Sequence, residues 1–317
     1  MISEVLRLIT HSGSFHADDL FSYVVLSGLF PDARLIRTRD DNLLSQTCTH
    51  DIVFDVGMRF SAEERRYDHH QRDKPLRPDG AGTPYSALGL IWKHHGHAYL
   101  KANAVFEDND AVERVWDRID QDFIYFIDCT DNGIYPEGVS QKGAATSISL
   151  LIEQFNPVFD DTHADYDRAF KEASEICRKF LDARIKTEAA YERARKVVVA
   201  AMKQTNDPRV IELPMSLDWN GHVFDLGNQE VLYAIYPAHG NWYCSAAKTE
   251  RGSFENRKSL PEEWAGLRGT DLAKVANVDD AVFCHDNLFV CVAESREGIL
   301  KMVRQALEYD LTPTNKP

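Results

Sequence analysis

The sequence lacks several features that mark common classes of protein. Its 317 residues contain no run of about 18 apolar residues, so a membrane-spanning helix is not expected. The first residues, MISEVLRLITHSGSFHADD, do not have the form of a signal peptide, and we predict a cytoplasmic protein. The six cysteines include no CxxC pair, which argues against a zinc knuckle or a disulfide framework. No GxSxG motif is present, which argues against that type of serine nucleophile.

Basic residues are also too few for a protein that binds duplex nucleic acid without specificity. Lys and Arg total 36 and Asp and Glu total 50, which gives a formal net charge of −14. Non-specific duplex binders usually have the opposite balance, because most of their affinity comes from phosphate contacts. A nucleic-acid substrate would therefore be short or single-stranded, and metal ions or a local basic groove would have to offset its phosphates.

Short apolar strands alternate with helical patterns in the first half of the chain. This alternation predicts an α/β fold with a mainly parallel sheet flanked by helices. The predicted strands lie at 4–10, 33–39 and 51–57, and the predicted helices at 18–29, 84–95, 110–127 and 144–155.

The second half begins with a long helical pattern. From about Asp165 to Met202, apolar residues recur at helical spacing without a proline, which predicts one long helix that joins two domains. Strand-like runs at 231–237, 242–248 and 288–294 and a last helix at about 296–309 predict a second, smaller α+β domain. We expect a first domain at 1–160, the connecting helix at 161–205 and the second domain at 206–317.

Histidine and aspartate residues stand just beyond three predicted strands. They are His11 to Asp18 in the first segment, Asp55 in the second, and Asp68, His69 and His70 in the third. Ligands of open α/β sheets bind at the carboxyl ends of the strands, so these side chains would meet if the strands are neighbours. Each residue alone is more often a helix cap or a surface residue, but the joint pattern predicts a metal site.

A pair of divalent ions about 3.5–4 Å apart needs a bridging carboxylate. Asp55 is the candidate, because it stands alone at a strand end, and His11, His16, Asp18 and His69 could complete the two ligand sets. Imidazole and carboxylate ligands without thiolate suit manganese better than a structural zinc site. Asp128 and Asp131 are three residues apart and can face one side of a helix, so one could bind metal while the other orients a histidine.

Together these motifs resemble the melanocyte-proliferating-gene (MYG-like) family of metal-dependent hydrolases or exonucleases, which is related to the Asp-His-His (DHH) phosphoesterase superfamily. The resemblance covers nearly the whole chain. One departure is that the superfamily usually has an aspartate where His16 stands, which leaves the preferred metal open. The matching segments are THSGSFHADD (10–19), YDHHQ (67–71), DNGI (131–134), SFENRKSLPEEWAGLRGTDL (253–272) and FCH (283–285).

The resemblance implies a DHH-like first domain that binds two divalent ions, expected to be Mn²⁺, with Mg²⁺, Co²⁺ or Zn²⁺ as alternatives. One ion would be held by His11, His16 and Asp55, and the other by Asp18, Asp55, His69 and Asp128. Asp128 is preferred to Asp131, which stays an alternative, because Asp128 directly follows the apolar run.

The resemblance also implies roles in catalysis and substrate binding. His70 would face the substrate phosphate and Asp68 would support the histidines, so the expected catalytic residues are Asp55, Asp68 and His70. In the second domain, the residues expected to grip the substrate are Arg257, Lys258, Arg268 and His285.

The implied function is that of a divalent-metal-dependent phosphohydrolase. The preferred form is a 3′–5′ exonuclease-like phosphodiesterase that acts on single-stranded RNA, short oligonucleotides or nucleotides through a metal-activated water. The alternatives are a pyrophosphatase or small-nucleotide phosphatase, a non-catalytic metal- or nucleotide-binding regulator, and a structural adaptor that uses the long helix. No membrane partner is expected, and the long helix leaves a homodimer open.

Overall fold

The structure is a computed structural model that describes residues 5–106, 108–135 and 147–309. It divides into two compact units, Met1–Ala189 and Ala190–Pro317. Among the described residues, no helix combines the length and the apolar character that a membrane span requires.

The first unit contains a five-stranded sheet in the order β2-β1-β3-β5-β4. The pairs β1–β2, β1–β3 and β3–β5 are parallel, and only β4 runs antiparallel to its neighbour. The predicted mainly parallel sheet is thus confirmed. Its strands are β1 (Arg7–Thr10), β2 (Arg34–Arg37), β3 (Ile52–Phe54), β4 (Phe60–Ser61) and β5 (Arg66–Tyr67). Its helices are α1 (Ala17–Leu29), α2 (Asp41–Ser45), α3 (Ala87–Asn103), α4 (Asn109–Ile119), α5 (Tyr125–Asp131), α6 (Ile148–Glu153) and the start of α7 (Tyr166–Gln204).

The core of the first unit lies between the sheet and the helices α1 and α3. Leu20, Phe21 and Val24 of α1 are fully buried there, together with Leu88 and Trp92 of α3. The two helices approach closely at Gly28, where an added Cβ would lie 2.5 Å from the ring of Tyr99. Burial of this kind contributes roughly 25 cal/mol for each Å² of apolar surface, so the packing of α1 on α3 holds the start of α1 firmly in place.

The long helix α7 belongs to both units. Phe170, Leu181 and Ile185 lie in the core of the first unit, whereas Val198 and Ala201 lie in a core of the second. The uninterrupted helix predicted from the spacing of apolar residues is therefore present, from Tyr166 to Gln204. It is not a free linker, because each part of it packs within its own unit.

The second unit contains a five-stranded sheet in the order β6-β7-β8-β10-β9, which is antiparallel except for the pair β6–β7. Leu272 of α9 and Ile299 of α10 pack in the core beside this sheet. The predicted smaller α+β domain is confirmed. Its elements are β6 (Val210–Glu212), α8 (Asn220–Asp225), β7 (Tyr233–Ala238), β8 (Asn241–Ala246), α9 (Gly269–Ala276), β9 (Ala281–Cys284), β10 (Val290–Ala293) and α10 (Arg296–Glu308).

Some predicted elements differ from the observed ones. The single helix expected at 110–127 consists of α4, a π-helical turn (Asp120–Ile124) and α5. Of the helix expected at 144–155, only Ile148–Glu153 is observed, and residues 144–146 lie outside the described residues. The strands β4, β6 and β9 were not predicted, and no bounds were predicted for the strand before Asp68 (β5), because two to four residues are too few to show an alternating pattern.

Candidate metal centre

Three parallel strands of the first sheet end at the same edge, and a histidine or an aspartate follows each of them. β3 lies between β1 and β5 in the sheet. His11 follows β1, Asp55 follows β3, and His69 comes two residues after the end of β5. Their side chains are buried, with relative exposures of 2%, 4% and 2%. The strand order thus brings His11 beside two residues that lie more than forty positions further along the sequence.

Asp55 lies at the centre of this group. Its Oδ2 is 3.2 Å from Nε2 of His11, and its Oδ1 is 3.3 Å from Nε2 of His69 and 3.5 Å from Nδ1 of His70. The backbone of Asp55 has a φ of 52°, in the left-handed region that non-glycine residues rarely adopt. Such a conformation costs of order 1–3 kcal/mol and persists only where the surroundings enforce it, often at functional sites.

The surrounding side chains form three groups whose ligand atoms lie within 4.8 Å of one another. His69 connects them, because its Nε2 is also 3.2 Å from Oδ2 of Asp131 and 3.8 Å from Oδ2 of Asp18. Two of the groups share Asp55, as a bridging carboxylate would require. The groups are Asp55 with His69 and His70, His11 with Asp19 and Asp55, and His16 with Asp18 and Asp131.

Several buried atoms of the cluster make no hydrogen bond within the described part of the chain. They are both carboxylate oxygens of Asp18, Oδ2 of Asp19, Oδ1 of Asp55 and both ring nitrogens of His69. A buried polar atom without a partner costs of order 1–3 kcal/mol, so native proteins rarely leave several together. Carboxylate oxygens and imidazole nitrogens are the ligands of divalent cations such as Mn²⁺, and these residues therefore fit a metal centre.

The charges of the cluster shift its pKa values in opposite directions. Burial would lower the pKa of His11, but the carboxylates of Asp19 and Asp55, each 3.2 Å from its Nε2, raise it to about 10. Burial would raise the pKa of Asp55, but the imidazoles of His11 and His69 hold it well below its usual value. Burial, together with the charge of Asp55 and other carboxylates, raises the pKa of Asp18 and of Asp131. The carboxylates of Asp18 and Asp131 are thus destabilised by burial and by the charge of Asp55, and a bound cation would relieve that repulsion.

Asp19 belongs to the cluster, although the sequence analysis did not select it as a ligand. Its Oδ2 is 3.2 Å from Nε2 of His11, and its Oδ1 accepts a hydrogen bond of 2.8 Å from the backbone N–H of His16. The second contact is that of a helix-capping residue, and the spacing of three from His16 fits a cap. The spacing alone indicates a helix cap. It does not show that the same carboxylate can cap a helix with one oxygen and present the other to a cation.

Asp68 fixes the loop that carries His69 and His70. Its Oδ1 accepts hydrogen bonds from the backbone N–H groups of His69 (2.7 Å) and His70 (3.1 Å), and it lies 2.7 Å from Nδ1 of His70. Its Oδ2 accepts from the N–H of Met58. The hydrogen bond with Asp68 raises the pKa of His70, whose side chain is half exposed. His70 is thus oriented by Asp68, and it lines the open cleft beside the cluster.

A family model described as an uncharacterised protein family, MYG1 exonuclease type (UPF0160), matches residues 7–307. The chain belongs to the MYG1 exonuclease family. The human MYG1 exonuclease is 31% identical to it over 324 residues, which cover 95% of this chain and 85% of the human protein. The MYG1 protein of Schizosaccharomyces pombe is 29% identical over 327 residues, covering 97% and 99%. The resemblance to the MYG-like family is confirmed, as is the prediction of a hydrolase of the phosphodiesterase or exonuclease type.

Solved structures give weaker likenesses to this MYG1-family chain. The pGpG-specific phosphodiesterase PggH from Vibrio cholerae is 12% identical with a TM-score of 0.32, and the alignment covers 95% of this chain and 97% of PggH. RecJ from Thermus thermophilus, solved with Mn²⁺, is 14% identical with a TM-score of 0.25, and the alignment covers 96% of this chain and 52% of RecJ. At these TM-scores neither likeness bears on the chemistry of this MYG1 relative.

Of the two aspartates on α5, the fold brings Asp131 to the cluster and points Asp128 elsewhere. Oδ2 of Asp128 accepts a 2.6 Å hydrogen bond from Nε of Arg77, and Oδ1 accepts from both the N–H and the hydroxyl of Ser86. Asp131 instead lies beside His69 and Asp18. Asp131, the alternative in the sequence analysis, therefore lies in the cluster, whereas the preferred Asp128 lies outside it. Adjacency to an apolar run does not determine which helical face meets the cluster.

The four basic residues selected in the second unit make contacts within that unit. Arg257 donates to the backbone carbonyls of Lys248 and Val231, and Lys258 donates to the carbonyl of Leu307. The hydrogen bonds of Arg257 and Lys258 therefore stabilise the backbone of the second unit. A residue that only bound substrate would not need them. The other two lie against aromatic rings, Arg268 at 4.2 Å from the ring centre of Phe283 and His285 at 4.4 Å from that of Phe289.

An open cleft of about 910 Å³ lies beside the cluster in the first unit. His11, His16, Asp18, Asp55 and His70 line one part of it. The rest carries several charged residues that the sequence analysis did not select: Arg39, Asp41, Arg59, Glu64, Arg66 and Glu153. The signal for them was weak, because an isolated arginine in a short strand or loop is usually a solvated surface charge.

Proposed function

We propose that this chain is a divalent-metal-dependent phosphodiesterase that removes nucleotides from the 3′ end of short single-stranded RNA. The position of Asp55 is the observation that carries this proposal. Its two oxygens lie 3.2 Å from His11 and 3.3 Å from His69, as in a carboxylate shared between two ligand sets. Relatives named exonucleases, one of them 31% identical over 95% of the chain, support the same type of reaction.

Two divalent cations are proposed to bind at the strand ends. Mn²⁺ is preferred, because the ligand atoms are imidazole nitrogens and carboxylate oxygens. When bound, such cations offset charge on the phosphate and make a water molecule more acidic. The proposed ligands are His11, His16, Asp18, Asp19, Asp55, His69 and Asp131.

The remaining residues of the cluster are proposed to bind and orient the substrate. Asp68 binds Nδ1 of His70, so Nε2 of His70 stays available to a phosphate oxygen or to the departing hydroxyl. His70 is half exposed at the cleft, whereas His11 and His69 are almost fully buried. The buried side chains thus form the floor of the site, and His70 is the group that a substrate meets. Arg268 and His285 of the second unit are proposed to contribute to substrate binding.

The test is hydrolysis of a labelled RNA hexamer by the purified full chain, with Mn²⁺ and then with a chelator. We expect mononucleotides to be released in the presence of Mn²⁺. Phosphorothioate linkages at the 3′ end should block this release, whereas the same linkages at the 5′ end should not. Asp55→Asn should reduce the rate at least 100-fold, a loss typical of a group that supports charge in the transition state. The matched control is Asp73→Asn, because Asp73 is exposed and follows the same DHH segment.

Three outcomes would contradict the proposal. Turnover of pyrophosphate alone would make the chain a pyrophosphatase. Tight nucleotide binding without turnover of RNA, dinucleotide or pyrophosphate would make it a regulator. Equal activity of Asp55→Asn and Asp73→Asn would show that the Asp55 cluster is not the reaction centre.

A further inference from the structure

The cleft extends beyond the metal centre along one face of the first sheet. Val53 of β3 and Arg66 of β5 are paired in register and both line the cleft, so their side chains share one face of the sheet. The following residues of the two strands, Phe54 and Tyr67, lie in the hydrophobic core on the other face. Leu44 and Ser45 of α2 also line the cleft, as do residues at the β4–β5 hairpin. The cleft is therefore larger than the space around the cluster alone.

Three arginines line this cleft, and they differ in how their charge is balanced. Arg59 lies 2.5 Å from Glu64 in an ion pair. Arg39 and Arg66 make no ion pair within 4.0 Å with any residue that the structure describes. Asp41 and Glu153 also face the cleft, but neither pairs with these two arginines. Burial lowers the pKa of Arg66, which fits a half-buried guanidinium whose charge is only partly compensated.

The two unpaired arginines lie at different distances from the cluster. Nη2 of Arg39 is 3.0 Å from Nδ1 of His11, and its Nε donates to the carbonyl of Ser12. Arg66 precedes Asp68 by two residues, so its Cα lies about 7 Å back along the strand at a rise of roughly 3.3 Å per residue. Guanidinium groups bind phosphate oxygens in a bidentate manner, and a cleft with two of them suits a ligand with several phosphates.

We propose that Arg39 and Arg66 bind the phosphates next to the scissile one, so that the substrate is an oligonucleotide with several phosphates and not pyrophosphate or a single nucleotide. This inference rests on the proposed function, because it assumes that the scissile phosphate lies at the metal centre. A volume of about 910 Å³ lies near the upper end of ligand pockets, which span roughly 300–1,000 Å³. The site thus has room for more than one nucleotide.

The first experiment measures binding, which does not depend on turnover. The probe is a fluorescein-labelled, all-phosphorothioate RNA pentamer, and its anisotropy is followed with Mn²⁺ at several salt concentrations. We expect Arg39→Gln and Arg66→Gln each to weaken binding about tenfold or more, and the slope of log K against log salt to become shallower by about 0.7 for each lost phosphate contact. The matched control is the double variant Arg59→Gln with Glu64→Gln, which should change binding less than twofold because it removes both charges of an ion pair and leaves the net charge of the cleft unchanged.

The second experiment compares two substrates by kcat/KM. An RNA pentamer carries neighbouring phosphates, whereas bis(p-nitrophenyl) phosphate carries only the scissile one. In both variants we expect the loss on the pentamer to exceed the loss on the small diester at least fivefold, mainly through KM. Arg66→Lys should retain more pentamer activity than Arg66→Gln, because it keeps the charge. Thermal melting checks that every variant is folded.

Each result separates this inference from the proposed function. An unchanged salt slope in both variants, or an equal loss in the double variant of Arg59 and Glu64, would overturn the binding site for neighbouring phosphates while wild-type hydrolysis still stood. Equal losses on the pentamer and the small diester would also overturn it, because the arginines would then act on the metal centre itself. The expected binding losses without hydrolysis by the wild-type chain would instead overturn the exonuclease and leave the oligonucleotide site in place.

Discussion

At the scale of single residues, Asp55 shows how a site is built against local preference. An aspartate with left-handed backbone angles costs free energy. The sheet, the core and the neighbouring loop hold Asp55 in this conformation, with its two oxygens beside His11 and His69. The sequence predicted its importance only from its place after a strand. The strained backbone and the contacts with His11 and His69 became visible in the tertiary structure.

Replacing Asp55 separates its backbone cost from its role as a ligand. Without metal, Asp55→Gly should be more stable than Asp55→Ala by about 1 kcal/mol, because glycine adopts a φ of 52° without the Cβ penalty. Both variants should lose Mn²⁺ binding. Urea unfolding in chelator measures the first effect and titration calorimetry the second. If Asp55→Ala were the more stable variant, the left-handed conformation of Asp55 would be in question.

His95 is expected to control part of the stability at acidic pH. Burial, helped by the charges of His94 and Arg65, lowers its pKa from 6.5 to about 4. The folded chain therefore resists protonation at His95 where the unfolded chain accepts it, so stability is lost as the pH falls from 6.5 to 4. The contribution is at most about 3 kcal/mol, given 1.36 kcal/mol per pKa unit.

The measurement for His95 is chemical unfolding at pH 7.0 and pH 4.5. His95→Gln should reduce the loss of stability between these values, because glutamine does not titrate and can still accept a hydrogen bond from the hydroxyl of Tyr67, which lies 3.0 Å from Nε2 of His95. His50→Gln is the control, since His50 is exposed. Identical pH profiles for His95→Gln and the wild type would contradict the prediction.

At the scale of elements, the π-helical turn between α4 and α5 helps to place Asp131. A π turn shifts the register of the residues that follow it, and such turns are frequent near functional sites. Asp120 in this turn and Asp128 in α5 both bind Arg77, at 2.7 Å and 2.6 Å. The guanidinium thus ties the loop after the DHH segment to both parts of the helix, and Asp131 is held one turn further on. Hydrophobic periodicity does not reveal such a shift, and this explains why the sequence analysis preferred Asp128 to Asp131.

The contacts of Arg77 are expected to be important for stability. Arg77→Met removes the partner of two buried or nearly buried carboxylates, so we expect a loss of roughly 3–5 kcal/mol in the free energy of unfolding. Arg59→Met is the control, because its ion pair with Glu64 is exposed and worth less than about 1 kcal/mol. Urea unfolding followed by fluorescence measures both. Equal effects of the two substitutions would show that the network around Arg77 does not hold α5 in place.

At the scale of the whole molecule, we expect the stability of the folded chain to depend on bound cations. A net charge of −14 accompanies a cluster of carboxylates with unpaired oxygens. Cations that bind only the folded chain stabilise it by mass action, by roughly 2.7 kcal/mol at 100 times the dissociation constant. Bound cations are expected to stabilise the first unit more than the second, because the cluster lies wholly in the first.

Mn²⁺ should therefore raise the melting temperature of the wild-type chain, and a chelator should reverse the shift. Asp55→Asn is expected to lose most of this shift, whereas Asp73→Asn should keep it, because Asp73 is exposed and outside the ligand groups. Differential scanning calorimetry with and without Mn²⁺ provides the comparison. An equal shift in Asp55→Asn would place the stabilising ion elsewhere. The cytoplasmic location and the homodimer stay predictions.

The sequence by itself determined the class of fold, the long helix and most of the residues that meet at the strand ends. These features depend on local patterns, namely runs of apolar residues, helical spacing and polar residues just after strands. Only the tertiary structure decided which side chains lie close enough to one another to bind a common ion. The second oxygen of Asp19, the choice of Asp131 and the unpaired Arg39 and Arg66 depend on strand order, on the register of one π turn and on which face of the sheet is left open. Those are long-range properties, because each depends on contacts between segments that are distant in the chain.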